Sequence, residues 1–502
     1  MKEVDLMEHY YSKSKFVLFQ GCHKRLWLEL FKKEEKEEIN NTQQLINGNV
    51  VGDLAMNLFG DYYLAETVDN DLKVQEQNTS LAIKRNERVI CEAAFIYKNH
   101  YCAVDILVKK DDGYSVYEVK STTELQKHYY YDLAYQYYVL SSIGLKINTL
   151  NLVHINKEYI LEDDFDINKY FVINDLTIDV KNLKDEVSEL LQLSDSILDS
   201  ETEPKSIICS TCTKHGGCPF LNYCKKYNNV PLENSVFDLY NNRSKIKQVN
   251  GKILSFEDVL NNNIILSEIQ KRQIDFALNN RDEIYVNKEK IKEFLDSFKF
   301  PLYFFDFETY QDVIPKYKGT KAYQQIPFQY SLHILHEDGT LEHKEFLGDG
   351  INNPMYDIVD AMINDLGDSG SIVAYNDAFE KSRIKELSQI NLSKQTELLA
   401  FIDRFVDLAY IFQSGYCYNR QMGGSFSIKS VLPALFPDSE ELNYKKLDGV
   451  HKGDEASAAY LSLAKMEKDE YDNTRKNLLA YCKLDTYAMV KIYQKLLELI
   501  NN

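Results

Sequence analysis

Residues 303–310 read YFFDFETY, an aromatic and apolar stretch broken by two acids. Its composition predicts a buried strand, and side chains two apart on a strand share a face. Asp306 and Glu308 therefore point into one small volume, where burial forbids two uncompensated anions. Any fold that contains this strand must bring positive charge to that spot. The rest of the chain is read for what supplies it.

Two later segments bear on the question. VAYNDAFEKSRIKEL, 373–387, reads as a strand end running into a helix, and NLLAYCKLDTYAMVKIYQKLLELI reads as an amphipathic helix. Tyr481 and Asp485 are four apart and share one helix face. A strand with D-x-E, a middle N-x-x-F-acid element and a final Y-x-x-x-D helix, in that order, resemble the DnaQ-like exonucleases of the RNase H-like superfamily, in the branch with a tyrosine in the last motif. The resemblance implies that Asp306, Glu308, Asp485 and one middle acid hold two divalent cations, Mg²⁺ or Mn²⁺, at a scissile phosphodiester. It also implies that Tyr481 positions the attacking water. The middle motif departs from the family, ending in Phe379-Glu380 rather than Phe-Asp. Glu380 is expected to fill that place, with Asp377 as the alternative; Asp407, in FVDLAYIF, reads as a structural turn.

The N-terminal half carries a second acidic constellation. In YCAVDILVKKDDGYSVYEVKST, 101–122, two β-rich runs flank DDG, a hairpin signal. Either turn register puts Asp105 on one face with Glu118 and Lys120. Two carboxylates and a lysine suit a divalent cation and an activated water; a charged cross-strand cluster on a solvated sheet fits the same spacing. D-x12-E-V-K followed by the helix-like DLAYQYYVL, with Gln136 and Tyr138, resembles the PD-(D/E)XK nuclease core in its RecB-like branch. That resemblance implies a catalytic site of Asp105, Glu118, Lys120 and Gln136. The family's early G-x-x-x-H histidine is missing, since GNVVGDLAM has Gly52 in that place, with Asp53 beside it. Asp53 or Glu92 are the candidate substitutes.

Four of nine cysteines cluster in CSTCTKHGGCPFLNYC, 209–224. Such clustering reads as a metal site, and spacing alone does not separate zinc from an iron–sulfur cluster. The upstream GCHKRLWLELF resembles the CRISPR-adaptation exonucleases of the RecB-like branch, which implies a 4Fe–4S cluster on Cys22, Cys212, Cys218 and Cys224, with Cys209 spare and zinc the alternative. Cys91, Cys102, Cys417 and Cys482 read as inert buried thiols. Trp27 reads as core and His215 as exposed rather than a ligand.

A net charge of −19 argues against nucleic acid at first sight, but carboxylate clusters that hold ions account for excess acid. Lysines interleave with aromatics in PKYKGTKAYQQIPFQY, 315–330, which suits single-stranded DNA and makes Lys316, Lys321 and Tyr323 candidate substrate-binding residues. A second basic stretch runs from Lys225 to Lys252. The start, MKEVDLMEHYYSKSK, has no apolar core, so neither a secretory signal nor a membrane span is expected and the location reads as cytoplasmic.

The expected architecture is mixed α/β. A RecB-like PD-(D/E)XK domain with iron–sulfur cysteines covers 1–228, a helical linker 229–298, and a DnaQ-like, RNase H-like domain 299–502. This combination resembles an uncharacterised bacterial family. The expected function is a metal-dependent nuclease that trims DNA ends in repair or defence. RNA as substrate and a nucleic-acid-binding scaffold with a degenerate N-terminal site are the alternatives.

Overall fold

Strand-forming runs joined by tight turns set the framework in both halves of the chain. The structure, a computed structural model, describes residues 10–38, 42–69, 71–200, 202–213, 217–249 and 254–502; His215 and Lys252 fall outside them. The chain is mixed α/β and divides into two units. The first holds residues 1–228 and 313–323, and the second holds 229–312 and 324–502. Among the described residues, no helix is long and apolar enough to cross a membrane.

In the first unit, helices α1 (Lys13–Gly21), α2 (His23–Phe31), α3 (Thr42–Ala55) and α4 (Leu72–Lys84) precede the main sheet. Strands β1 (Val89–Tyr97), β2 (His100–Lys110) and β3 (Gly113–Lys120) form an antiparallel meander. Helix α5 (Lys127–Ser142) then leads to β4 (Ile147–Ile155), which is parallel to β3, and β5 (Phe171–Asp175) closes that edge antiparallel. The β2–β3 turn centres on Asp111 and Asp112, because Lys110 pairs with Gly113. Gly113 is required there, since a Cβ would lie 2.5 Å from Asn148 Oδ1 and 2.8 Å from the Lys146 carbonyl. Extending this register sets Asp105 opposite Glu118.

The second unit is built on a five-stranded sheet. Its strands are β6 (Leu302–Gln311), β7 (Gln325–Leu335), β8 (Leu341–Leu347), β9 (Ser371–Ala374) and β10 (Phe405–Asp407), in the order β8-β7-β6-β9-β10. β7 is antiparallel to both neighbours, whereas β9 is parallel to β6 and β10 to β9. The turn between β7 and β8 uses Gly339 at φ +88°, a left-handed conformation suited to glycine. Helices α6 (Pro354–Leu366), α7 (Ala378–Ile390), α8 (Ile428–Leu435) and α9 (Gly453–Ser462) precede the long α10 (Lys468–Asn501). Leu484, Ala488, Met489, Ile492 and Leu496 line the buried side of α10 and share one core with Phe304 of β6.

Two boundaries differ from the sequence reading. Residues 229–298 do not stand apart as a linker: Ile269, Phe276, Ile291, Leu295 and Phe298 join the core that holds Phe304 and Leu496. Composition identifies these amphipathic helices but not the core they complete. Segment 313–323 belongs to the first unit, where Val313, Ile314, Ala322 and Tyr323 pack with Val108 and Tyr117.

Candidate functional site

The carboxylate pair of β6 is turned inward by the sheet's own design, with Glu308 buried and Asp306 half-buried. Phe305 and Phe307 face the opposite side, edge to face at 4.6 Å, which turns Asp306 and Glu308 to the face that α10 covers. Polar anchors from β7 fix α10 there. Gln329 Nε2 donates to the Leu478 carbonyl at 2.9 Å, while Ser331 and His333 meet the Thr486 hydroxyl at 2.7 and 2.8 Å. Because Ser331 pairs with Asp306, Tyr481, Cys482 and Asp485 are brought over the carboxylates. Glu380 arrives from the first turn of α7, which follows β9, the parallel neighbour of β6.

These groups form one electrostatic cluster. Burial pushes Asp306 well above the ordinary carboxylate range, and Asp485, Glu380 and Glu308 push it further. Burial, then Asp485, raises Glu308 to about 8. Glu380 rises to about 8, chiefly by burial, and Asp485 to about 6 for the same reason. The Tyr444 hydroxyl donates to Asp485 Oδ1 at 2.5 Å, and Tyr481 also hydrogen-bonds Asp485. Lys429 donates to the Tyr481 hydroxyl at 3.2 Å and to the His451 carbonyl at 2.9 Å, above the rings of Tyr444 and Tyr481.

The structure thus brings Asp306, Glu308, Glu380, Tyr481 and Asp485 together. Asp377 turns instead to Lys381, 2.5 Å away, and Asp407 caps its turn by accepting from the Asn376 and Ala409 amides. Sequence reasoning misses three contributors. Lys429 and Tyr444 come from the segment between β10 and α9 and carry no motif. Cys482 reads as inert from sequence, yet its sulfur and carboxylate oxygens of Asp306 and Glu308 all lie within 4.8 Å of one another. Its position beside Tyr481 on the buried face of α10 is the readable signal. Burial keeps that thiol protonated, because its pKa is held well above the ordinary value.

The donor set fits divalent cations. Four carboxylates converge in a buried volume, and Glu380 Oε2 has no hydrogen-bond partner. Such a charge excess is relieved by protons, as the raised pKa values show, or by cations held among the oxygens.

The first unit gathers its own acids with lysines already in place. Asp105 accepts from the Val119 amide at 2.6 Å. Lys120 reaches Glu118 at 2.7 Å and Asp132 at 2.6 Å, Lys13 of α1 also donates to Glu118, and Gln136 Nε2 donates to it at 2.6 Å. Burial alone would raise Glu118, but Lys120 and Lys13 outweigh it and hold the carboxylate at about 2. Asp105 is raised to about 6, first by burial and then by Glu118. Glu92, at φ +53° in β1, rises to about 7 by burial, with Asp105 next. Asp53 is among the charges that act on Glu92. The space beside Gly52 is open, since a Cβ at that position would meet nothing within 4 Å. No motif marks Lys13; Asp132 lies four residues before Gln136 on one face of α5, which the sequence spacing contains.

Lys316, Lys321 and Tyr323 belong to the first unit. They lie in its segment 313–323, where the Tyr323 hydroxyl donates to the Ser121 carbonyl and Lys316 stands 5.5 Å from the Tyr317 ring. Apolar burial of Val313 and Tyr323, invisible to a count of charges, decides their place.

Cys22, at the junction of α1 and α2, lines one pocket of about 220 Å³ with Cys212, Cys218 and Cys224. Cys209 does not line it. Burial, and then the neighbouring sulfurs, push Cys212 up to about 12 and Cys224 up to about 11, partly offset by local donors and Lys24. A tetrahedral zinc site needs sulfurs about 3.8 Å apart. Among the described residues no three of these sulfurs come within 4.8 Å of one another. Cys91, Cys102 and Cys417 are buried, and Trp27 packs with Leu28 and Phe220.

Comparison with known proteins gives one match within the second unit and two curated relatives. Residues 303–427 match a family described as a domain of unknown function, DUF2779. An uncharacterised protein of Mycoplasma pneumoniae, the MG366 homolog, is 31% identical over 247 residues, covering 45% of this chain and 36% of the relative. Uncharacterised protein MG366 of Mycoplasma genitalium is 27% identical over 243 residues, covering 45% of this chain and 35% of the relative. The chain spans about a third of the length of these curated relatives. The matched family segment begins on the strand that bears Asp306 and Glu308 and includes Glu380.

Proposed function

We propose that the protein is a metal-dependent phosphodiester hydrolase, a cytoplasmic nuclease that acts on DNA ends, with its principal centre in the second unit. The observation that carries this reading is the convergence of Asp306, Glu308, Glu380 and Asp485 from three elements into one buried cluster beside Tyr481. The strand order β8-β7-β6-β9-β10, with β7 antiparallel to its neighbours, supports the DnaQ-like, RNase H-like reading of 299–502.

Asp306, Glu308, Glu380 and Asp485 would hold Mg²⁺ or Mn²⁺, which when bound supplies Lewis-acid polarisation of the phosphodiester and a water of lowered pKa. The side chains do the rest. Tyr444 and Tyr481 fix Asp485 by hydrogen bonds, so one acceptor face of that carboxylate is set before anything binds. Tyr481, taking a hydrogen bond from Lys429, holds its hydroxyl at the edge of the cluster, where it orients an attacking water. Lys429 adds one positive charge where negative charge develops on the phosphate.

The first unit is the second centre of the proposal. Asp105 and Glu118 on adjacent strands, Lys120 between Glu118 and Asp132, and Gln136 on α5 support a PD-(D/E)XK site. Cys22, Cys212, Cys218 and Cys224 would hold a 4Fe–4S cluster that ties the start of α2 to residues 212–224. Iron and sulfide in an anaerobic preparation are expected; stoichiometric zinc in colourless protein overturns the cluster.

The test is hydrolysis of 5′- and 3′-labelled single- and double-stranded DNA and RNA with Mn²⁺ or Mg²⁺. Asp306→Ala is expected to lower the rate by roughly a thousandfold or more, as loss of a transition-state group does. Lys120→Ala is expected to remove any separate activity of the first unit. Equal, metal-independent traces in wild type and both variants sink the proposal, and cleavage confined to RNA replaces DNA as the substrate.

A further inference from the structure

Lys13 of the first unit reaches into a group of acids from a base that the fold pins. It opens α1 directly after Tyr11 and Ser12, which pair in parallel with His100 and Tyr101 of β2. Tyr11 is buried; its carbonyl accepts from the Tyr135 hydroxyl at 2.5 Å and its hydroxyl from Ser194 at 2.8 Å. The Ser12 hydroxyl caps α1 by accepting from the Lys15 amide. These contacts fix where the Lys13 side chain leaves the backbone, while 24% of that side chain stays exposed.

Glu118 is saturated with donors. Lys13 donates to its Oε1, which Lys120 also holds at 2.7 Å, and Gln136 donates to Oε2 at 2.6 Å. The two lysines are not equivalent. Lys120 turns to Asp132, at 2.6 Å. Lys13 turns to the other acids: it opposes the rise of Asp105 more strongly than Lys120 does, and it is the chief charge opposing the rise of Glu92. Glu92, Asp105 and Glu118 belong to the adjacent strands β1, β2 and β3, so one ammonium serves carboxylates from three strands. A divalent cation held by the same three acids needs the same point, because hard cations sit roughly 2.0–2.6 Å from carboxylate oxygens. Two cations cannot share it without strong repulsion.

We propose that Lys13 is the resident counter-ion of the first unit: its ammonium stands where a divalent cation would bind among Glu92, Asp105 and Glu118, and an ion enters only when Lys13 swings out. The inference rests on the reading of the first unit as a second centre, and adds that this centre is closed at rest by one side chain. Lys13 is the lysine able to leave. Lys120 is held by two carboxylates, whereas among the described residues Lys13 is ion-paired with Glu118 alone, and its part-exposed side chain has water to move into. Gly52, with open space beside it, adds no ligand that would favour the ion over the lysine.

The experiment is Mn²⁺ titration of the full chain carrying Asp306→Asn and Asp485→Asn, read by broadening of β1 and β3 amide resonances so that only ions of the first unit are counted. With Lys13 intact, uptake there is expected to be weak. Lys13→Met is expected to tighten it by at least about tenfold, since a unit charge about 4 Å from an ion is worth more than that inside a protein. Lys13→Arg keeps the charge and is expected to bind as weakly as the parent. A purely structural lysine would lower stability on substitution and leave Mn²⁺ affinity where it was. Unchanged or weaker Mn²⁺ binding in Lys13→Met, with parental circular dichroism, overturns the proposal. Tight Mn²⁺ binding at β1 and β3 in the parent also overturns it, and that arm needs no Lys13 variant to fold. Labelled DNA separates the two readings. Tighter Mn²⁺ uptake by Lys13→Met without cleavage supports the counter-ion and removes the first unit as a nuclease. Cleavage by a parent that binds Mn²⁺ tightly in the first unit overturns the counter-ion alone.

Discussion

The two acidic clusters of this chain differ in where their positive charge comes from. In the first unit Lys120 and Lys13 flank Glu118 and hold it at about 2, and Lys120 also pairs with Asp132. In the second unit Glu308 and Glu380 rise to about 8, and one lysine, Lys429, acts against that rise at Asp306 and Glu308. One cluster is neutralised by its own side chains; the other is left with raised carboxylate pKa values, a cost that bound cations would relieve. Similar carboxylate chemistry can therefore be poised in opposite ways by one or two lysines.

The largest expected effect breaks the first half of that comparison. Lys120→Met leaves Glu118 and Asp132 buried without their shared cation, and removal of one partner from a buried ion pair destabilises by about 3–5 kcal/mol. Denaturation followed by hydrogen exchange in β3 and α5 should show that loss confined to the first unit. In the second unit the opposite sign is expected: Asp306→Asn removes a repelled charge and raises the metal-free melting temperature by about 2–4 °C.

The pH dependence sharpens the contrast. The folded pKa values of Glu308, Glu380 and Asp485 lie above those of an unfolded chain, so the metal-free fold binds these protons more tightly. That stability is complete below about pH 4 and is lost as pH rises through 6 to 8. Glu118 runs the other way: its stabilisation is present above about pH 4.5 and is lost as pH falls towards 2. In EDTA, melting of the second unit should fall between about pH 5 and pH 9, and Mn²⁺ should restore it more at the alkaline end. A flat profile contradicts the assignment.

The smallest effect concerns Gly52. Because the space there is open, Gly52→His is expected to add a ligand beside Glu92 and tighten Mn²⁺ binding to the first unit by about tenfold. Paramagnetic broadening of β1 and β3 resonances in a sample carrying Asp306→Asn reads this out, and no change there means the histidine does not reach the acids.

Much of the second cluster is legible in the sequence because its motifs are local. Two acids spaced by a strand's period and Tyr481 four residues before Asp485 each encode a shared face, and the fold has only to bring the faces together. Lys13, Lys429 and Tyr444 are not legible, because no spacing relates them to the groups they touch. Lys13 reaches Glu118 across 105 positions of sequence, through the packing of α1. The same limit explains segment 313–323: its lysines suggest a nucleic-acid surface, while Val313 and Tyr323 decide where it packs. Apolar periodicity predicts the helices of 229–298 but does not say which core an apolar face will join.

The central claim is that the acids of β6, α7 and α10 are held together, against their mutual repulsion, by divalent cations. Titration of the full chain with Mn²⁺ near pH 8, followed by electron paramagnetic resonance, counts those ions directly. Roughly two tight ions are expected in wild type and in Glu118→Gln, and their loss in the Asp306→Asn, Asp485→Asn double variant. Unchanged ion binding in that double variant contradicts the account.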